Sequence, residues 1–396
     1  MAELVAVRVP TAADLVAAWD RLAGLGDAIL PLPADAADGD VARTLATLRP
    51  AALLHPRPDG VLRLSRLPDP LPVEADTAVV VATSGSTGAP KGVVLSRAAL
   101  SASTAASVRR LGCRPGERWL LCLPLSHVAG LQVVLRSRAV GEEPVLHDGF
   151  DVEAVARDVE DGSVAWVSLV PTQLTRLLDA GLDLARLRGI LLGGAPPGGE
   201  LLARAEAAGA SVTVSYGMTE TCGGCVYDGH PLPGVEVAVG GDGRLRFRGD
   251  VLFDGYRGRP DLTAAAFDDG WFTSADLGRR ADDGRIEVLG RADDVIITGG
   301  ENVAASVVTE AVETHPAVRA AVVVGRPDPE WGERVVAVCE RVDRSSRLDL
   351  DGLRAHLRDR LPPHALPRQL LVVDELPRNA MGKALRDAVQ DLLDAR

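Results

Sequence analysis

AVVVATSGSTGAPKGVVLS, residues 78–96, puts a β-branched run, a loop of small residues, a lysine and a second apolar run in one line. The two β-branched runs predict two strands. Between them Thr83, Ser84, Gly85, Ser86, Thr87 and Gly88 offer backbone N–H groups and hydroxyls, and Lys91 adds a cation. Such a loop suits a polyphosphate. It is not the common P-loop, because Pro90 precedes the lysine and Gly92 follows it. A plain hairpin turn would need only two residues.

Downstream the pattern continues. WLLCLP, VAWVSLV, GILLGGA and SVTVSYG are apolar runs separated by Ala-, Leu- and Arg-rich segments, namely one after Ser96, one near 128–140, one from Pro171 and one from Gly199. Strands alternating with helices predict an α/β fold, a large N-terminal domain of parallel sheets covered by helices. After Tyr227, VEVAVGGDGRLRFRG and DDGRIEVLG predict a small antiparallel β subdomain. Beyond GRADD at 290–294 the texture predicts helix 304–314, strands 318–324 and 333–340, helix 350–360 and strand 369–373. The expected division is a large domain over 1–290, a boundary at 291–294 and a small α+β domain over 295–396. Residues 1–73 mix helical stretches such as 12–25 with Pro- and Asp-rich breaks and carry no chemical motif. No period of about 20 to 50 residues repeats, which argues against a solenoid.

Composition limits the partners. With 396 residues, 46% hydrophobic, the chain is large enough for two cores, and at 3% aromatic those cores must be packed with small aliphatic side chains. A formal charge of −12 argues against an electrostatic grip on nucleic acid or anionic lipid, because both need a basic surface. There is no run of about 18 apolar residues for a membrane span, and the start lacks the features of a secretory signal. The five cysteines include one close pair, Cys222 and Cys225, with no second pair or histidine cluster to complete a metal site. The expectation is a cytoplasmic protein with reduced thiols, a redox role for that pair staying open. Homo-oligomerisation is also left open.

Further strings recur in order along 78–383. They are PLSH at 124–127, GGAPP at 193–197, YGMTE at 216–220, WFTSAD at 271–276, GRADD at 290–294, TGGENV at 298–303 and LPRNAMGKALR at 376–386. Together with the first loop they resemble the adenylate-forming superfamily, which includes acyl-CoA synthetases, luciferases and the adenylation domains of peptide synthetases.

The resemblance implies a residue set. ATP and its AMP portion would meet Thr83 to Gly88 and Lys91, the adenine would lie along Gly193, Gly194, Ala195 and Tyr216, and Thr219 would contact phosphate. Asp276 would accept the ribose hydroxyls, and Arg291 would touch the nucleotide. Glu220 would hold Mg2+, which agrees with the preference of a hard cation for carboxylate oxygen. Lys383 would be the catalytic lysine, a compact positive charge for the negative charge that builds during adenylation. His127 would border the acyl pocket; alone, a histidine after a strand reads as structural. Asp293 would be the hinge of a mobile C-terminal domain, and Gly299 and Gly300 would line the path of the coenzyme A thiol.

Two segments, SLVPTQL at 168–174 and YGMTETCGGCVYDG at 216–229, resemble o-succinylbenzoate:CoA ligases of menaquinone synthesis. That likeness implies an acyl pocket walled by Ser168, Leu169, Val170, Pro171, Gly217 and Met218, with a small carboxylic acid, ATP and CoA as partners. Another small acyl- or aryl-CoA synthetase, or an enzyme that loads a carrier protein, stays open as an alternative.

Overall fold

Val79, Val80 and Val81 are fully buried. A β-branched run with both faces covered favours extended backbone, and strand Thr77–Thr83 forms there. It pairs antiparallel with Lys91–Ser96, Thr83 opposite Lys91, so both ends of the glycine-rich loop leave the sheet at one point. The computed structural model describes residues 2–57, 59–74, 76–83, 90–343, 347–378 and 384–394. Ser84, Gly85, Ser86, Thr87, Gly88 and Lys383 lie outside the described residues.

The chain divides into two compact units, Met1–Val237 with Phe247–Phe272, and Ala238–Arg246 with Thr273–Arg396. In the first, one sheet runs Gly255–Tyr256, Lys91–Ser96, Thr77–Thr83, Ala28–Pro31, Leu4–Val7, Ala52–Pro56, Leu62–Arg66. Its central pairs are parallel and its outer pairs antiparallel. Four of these strands come from the segment before Thr77, where the sequence predicted only helices and breaks. Helix Asp38–Leu48 begins inside the Pro- and Asp-rich break read at 31–40 and runs on beyond it.

The second sheet runs His230–Pro231, Gly223–Tyr227, Val212–Met218, Gly189–Leu192, Trp166–Leu169, Trp119–Leu121, Val145–Leu146. Its five strands from Val145–Leu146 to Val212–Met218 are parallel. Helices cover it as expected. Their ends follow local chemistry: the Ser96 hydroxyl caps helix Arg97–Leu111 by accepting from Ala99 N, and Gly112 closes it in the left-handed region.

The second unit is built on period-two alternation. Strands Val318–Asp328 and Gly332–Arg341 pair antiparallel, with Gln369–Val373 added in parallel. Val323, Val335, Ala337 and Cys339 pack beneath helices Ala305–Glu313 and Leu350–Leu357. Val322, Val324, Val336 and Val338 pack on the opposite face with Leu376 and Val389 of helix Arg386–Asp394. Successive side chains point to opposite faces of a strand, so each run fills two cores. The elements predicted for 304–373 all form, within a few residues of their predicted ends.

Candidate active site

The first unit brings Thr83, Lys91 and Glu220 to one place through a tyrosine. Thr83 Oγ1 donates to Lys91 O at 3.4 Å, and the Lys91 ammonium stands 5.6 Å from the centre of the Tyr256 ring. Tyr256 Oη donates to Glu220 Oε1 at 2.9 Å, and Phe253 N donates to Glu220 O at 2.9 Å. Burial, with the Glu220 charge beside it, pushes the Tyr256 phenol well above its usual range. It is therefore a fixed donor at neutral pH.

Glu220 sits in the short turn Thr219–Thr221 that follows strand Val212–Met218. The turn is held from inside. The fully buried Thr221 hydroxyl donates to Gly223 O at 2.7 Å, lies 3.1 Å from Met218 O, and accepts from Met218 N at 3.0 Å. Cys222 O accepts from Gln132 Nε2 at 2.8 Å and Ser103 Oγ at 3.2 Å, which pins the turn to helices Val128–Ala139 and Arg97–Leu111. Gly217 has no alternative here, because a Cβ would lie 2.0 Å from Gly223 O. Tyr216 leans on Phe247, ring centres 6.1 Å apart.

Cys222 and Cys225 are both buried. Burial, then the Asp254 charge, raises the Cys222 thiol far above its usual range. A thiol held protonated is a poor redox partner.

His127 is half-buried at the start of helix Val128–Ala139, and burial lowers its pKa, so the ring is neutral at pH 7. Gly193, Gly194 and Ala195 follow strand Gly189–Leu192, and Gly193 N donates to Leu169 O at 3.0 Å. Val170 and Pro171 form the start of helix Pro171–Asp179, where Val170 N donates to Gln173 Oε1 at 3.0 Å. Leu169 is packed into the apolar core beneath that helix. Ser168 turns the other way: its hydroxyl accepts from Arg136 Nη2 at 2.9 Å.

Arg136 is itself 3% exposed. Its guanidinium carbon lies 4.5 Å from the Trp119 ring centre, and its Nε has no partner among the described residues. Burial lowers its pKa, partly offset by Tyr227 and Cys113. A buried cation that meets hydroxyls and an indole rather than a carboxylate is costly.

The second unit holds the remaining described positions. Asp276 and Arg291 face each other across an antiparallel pair, Arg291 Nη1 lying 3.6 Å from Asp276 Oδ1. Arg291 also grips Asp293 with both prongs, at 2.8 and 2.7 Å. Burial would raise the Asp293 pKa, but these bonds outweigh it and hold the carboxyl below its usual range. Asp294 pairs with Arg386, three positions after Lys383. Gly299 and Gly300 are the two-residue turn of hairpin Val295–Thr298/Glu301–Ala304, and both have positive φ, as that turn requires.

Sequence reasoning missed Tyr256, Thr221 and Arg136. One signal was available. In VAGLQVVLRSRA, Gln132 and Arg136 lie four apart and so share a face, set among Val and Leu.

The family model described as AMP-binding enzyme matches residues 30–257, and that described as AMP-binding enzyme C-terminal domain matches 299–383. A Mycobacterium tuberculosis protein named "Probable 2-succinylbenzoate--CoA ligase" is 44% identical over 329 residues, covering 80% of this chain and 85% of that protein. The solved o-succinylbenzoate CoA synthetase of Bacillus subtilis, in complex with its acyl-adenylate intermediate, superposes with a TM-score of 0.88 at 29% identity, covering 98% of this chain and 88% of that one. The same synthetase in complex with ATP and a magnesium ion gives a TM-score of 0.88 at 29% identity, covering 98% and 89%. No helix among the described residues is long and apolar enough to cross a membrane.

Proposed function

The chain belongs to the AMP-binding enzyme family, and from that premise we propose that it joins o-succinylbenzoate to coenzyme A at the expense of ATP. The acid is first activated as an acyl-adenylate with loss of pyrophosphate; the thiol of coenzyme A then displaces AMP. The observation that carries the reaction class is the meeting of Lys91, Tyr256 and Glu220 where the glycine-rich loop leaves its sheet. A cation for the phosphate charge and a carboxylate fixed by the tyrosine hydroxyl are groups that suit a metal-bound polyphosphate. Among the described residues no group of three or more His, Cys, Asp or Glu side chains could cage an ion. One carboxylate sharing Mg2+ with substrate phosphates is a common arrangement, and Glu220 fits it.

The acid follows from Arg136 together with the named relatives. o-Succinylbenzoate has two carboxylates, one to be activated and one that must be held. Arg136 is a buried guanidinium in want of an anion, and it adjoins Ser168 of the expected acyl pocket. A carboxylate placed there would regain the solvation that burial removed from the cation. His127, Val170, Pro171, Gly217 and Met218 complete the pocket in this reading, and Leu169 backs it from the core.

Each half-reaction then has its own residues. Thr83 to Gly88 and Lys91 hold the polyphosphate, Thr219 contacts phosphate, Glu220 would hold the Mg2+, and Gly193, Gly194, Ala195 and Tyr216 lie along the adenine. Asp276 accepts the ribose hydroxyls and Arg291 stays beside it. Bound Mg2+ supplies Lewis-acid stabilisation of the phosphate charge. Lys383 meets the charge that grows on the carboxylate and α-phosphate oxygens in the transition state, which lowers the barrier more than it tightens ground-state binding. A large domain over 1–290 and a small one over 295–396 turn about Asp293, withdrawing Lys383 and bringing the Gly299–Gly300 turn to the thiol path. The Asp294–Arg386 pair ties that hinge to a residue three positions after Lys383.

The test is turnover. With Mg·ATP and CoA, o-succinylbenzoate should yield its thioester, AMP and pyrophosphate in equal amounts. Turnover of another acid with none of this one would remove the substrate assignment and leave the adenylation chemistry standing.

A further inference from the structure

Tyr256 and Arg257 lie side by side, and neither belongs to the residues that the adenylate-forming resemblance assigned. Tyr256 is fixed on several sides. It pairs with Val93 across the sheet edge, its N–H donates to Thr263 Oγ1 at 2.9 Å, and Phe253 meets it edge-on with ring centres 4.9 Å apart. Its hydroxyl therefore reaches Glu220 from a rigid base. One bond to Oε1 leaves the other carboxylate lone pairs for a cation.

Arg257 shows where that rigidity comes from. Its guanidinium donates to four backbone carbonyls, Leu48 O at 2.6 Å, Pro72 O at 3.0 Å, Arg49 O at 3.2 Å and Leu71 O at 2.7 Å. Its own N–H donates to Gly92 O at 2.8 Å, next to Lys91. Leu48 and Arg49 are the end of helix Asp38–Leu48, whose last carbonyls lack intrahelical donors and carry the negative end of the helix dipole. A cation is what that end calls for. Burial depresses the Arg257 pKa to about 10, which still leaves it charged at neutral pH.

We infer that Tyr256 is a positioning residue that orients the Glu220 carboxylate for the metal of Mg·ATP, and that Arg257 makes residues 1–73 part of that support. The inference rests on the reading of Glu220 as the metal-binding carboxylate. It gives the amino-terminal strands and helix a task in the chemistry: they hold a cage of carbonyls that locks one arginine, and the arginine locks its neighbour. Outer hydrogen-bond partners of metal ligands commonly tune metal affinity by about 10- to 100-fold.

The experiment uses the full chain and measures Mn2+ bound together with α,β-methylene-ATP by electron paramagnetic resonance, with no acid present. Tyr256→Phe should weaken Mn2+ about tenfold and leave the thermal midpoint near that of the parent. Pyrophosphate exchange in this variant should recover when Mg2+ is saturating, a KM effect rather than a kcat effect. Metal affinity within twofold of the parent, or tighter, overturns the proposal, provided Glu220→Gln is weakened. If Glu220→Gln also binds Mn2+ as the parent does, it is the reading of Glu220 that falls, and this inference with it. Arg257→Met should shift Mn2+ affinity in the same direction as Tyr256→Phe while lowering the thermal midpoint. A lowered midpoint with unchanged metal affinity would remove Arg257 and the amino-terminal segment from the support.

Discussion

Replacing Arg136 by methionine should separate stability from activity, in opposite directions. In the folded protein the guanidinium meets the Ser168 hydroxyl at 2.9 Å, the Tyr227 hydroxyl and an indole face at 4.5 Å, and its Nε has no partner among the described residues. A hydrogen bond to a charged group contributes about 1.5–3 kcal/mol, and a desolvated cation–π contact about 2 kcal/mol. Against these stands a desolvation penalty of several kcal/mol for the buried ion. The terms nearly cancel, so an apolar side chain of similar length should leave stability unchanged or raise it by about 1–4 kcal/mol.

Substrate handling should move the other way. Removing the buried partner of a carboxylate costs about 2–5 kcal/mol, which at about 1.4 kcal/mol per factor of ten is roughly 30- to several-thousand-fold in kcat/KM. The loss should be confined to o-succinylbenzoate. 4-Oxo-4-phenylbutyrate, which lacks the ring carboxylate, should be used by the variant at least as well as by the parent. Thermal denaturation and CoA-thioester formation with the two acids provide the assay. Equal losses on both acids, or a marked fall in the midpoint, would refute the role of Arg136 as the anchor of a second carboxylate.

Three further outcomes follow from the same geometry. Lys383→Ala should lower acid-dependent pyrophosphate exchange by at least about a hundredfold while the pre-formed acyl-adenylate still reacts with CoA; parallel loss of both steps would take the lysine out of its assigned half-reaction. Gly217→Ala should cost about 1–3 kcal/mol or more in urea denaturation, because its Cβ meets backbone oxygen at 2.0 Å rather than a yielding side chain; an unchanged midpoint would show that the turn can open. His127 has a folded pKa below its unfolded value of about 6.5, so the unfolded chain binds the proton first, and stability should fall as pH drops below about 6.5. His127→Asn should flatten that part of the urea-midpoint profile, and a slope identical in both proteins would assign it to other groups.

The parts of the molecule that could be read from sequence are those whose physics is local. Val79 to Val81 and the alternation in 318–341 specify strands without outside help, and the loop after Thr83 advertises its chemistry by composition. Strands of four residues such as Leu4–Val7 and Ala28–Pro31 are too short to show a period, and only their neighbours in the sheet make them strands. The site divides the same way. Glu220 announces itself in a turn after a strand, but the hydroxyl that orients it lies 36 residues away along the chain. Arg257 meets acceptors 185 to 209 residues earlier. No window along the chain can join those groups. Ser168 and Leu169 are adjacent in sequence yet face opposite sides of their strand, one toward Arg136 and one into the core, a difference that the pleat sets and the bare string SLVP does not display.

The double-faced sheet of the second unit has a practical consequence. Because Val389 and Leu393 help to roof Val322, Val324, Val336 and Val338, a protease that clipped helix Arg386–Asp394 would strip the roof from four adjacent valines. Flat, apolar strand surface of that kind seeds self-association. A chain trimmed there would be expected to lose solubility before its catalytic defect could be measured, so purification tags and fusion partners should extend the tail rather than replace it.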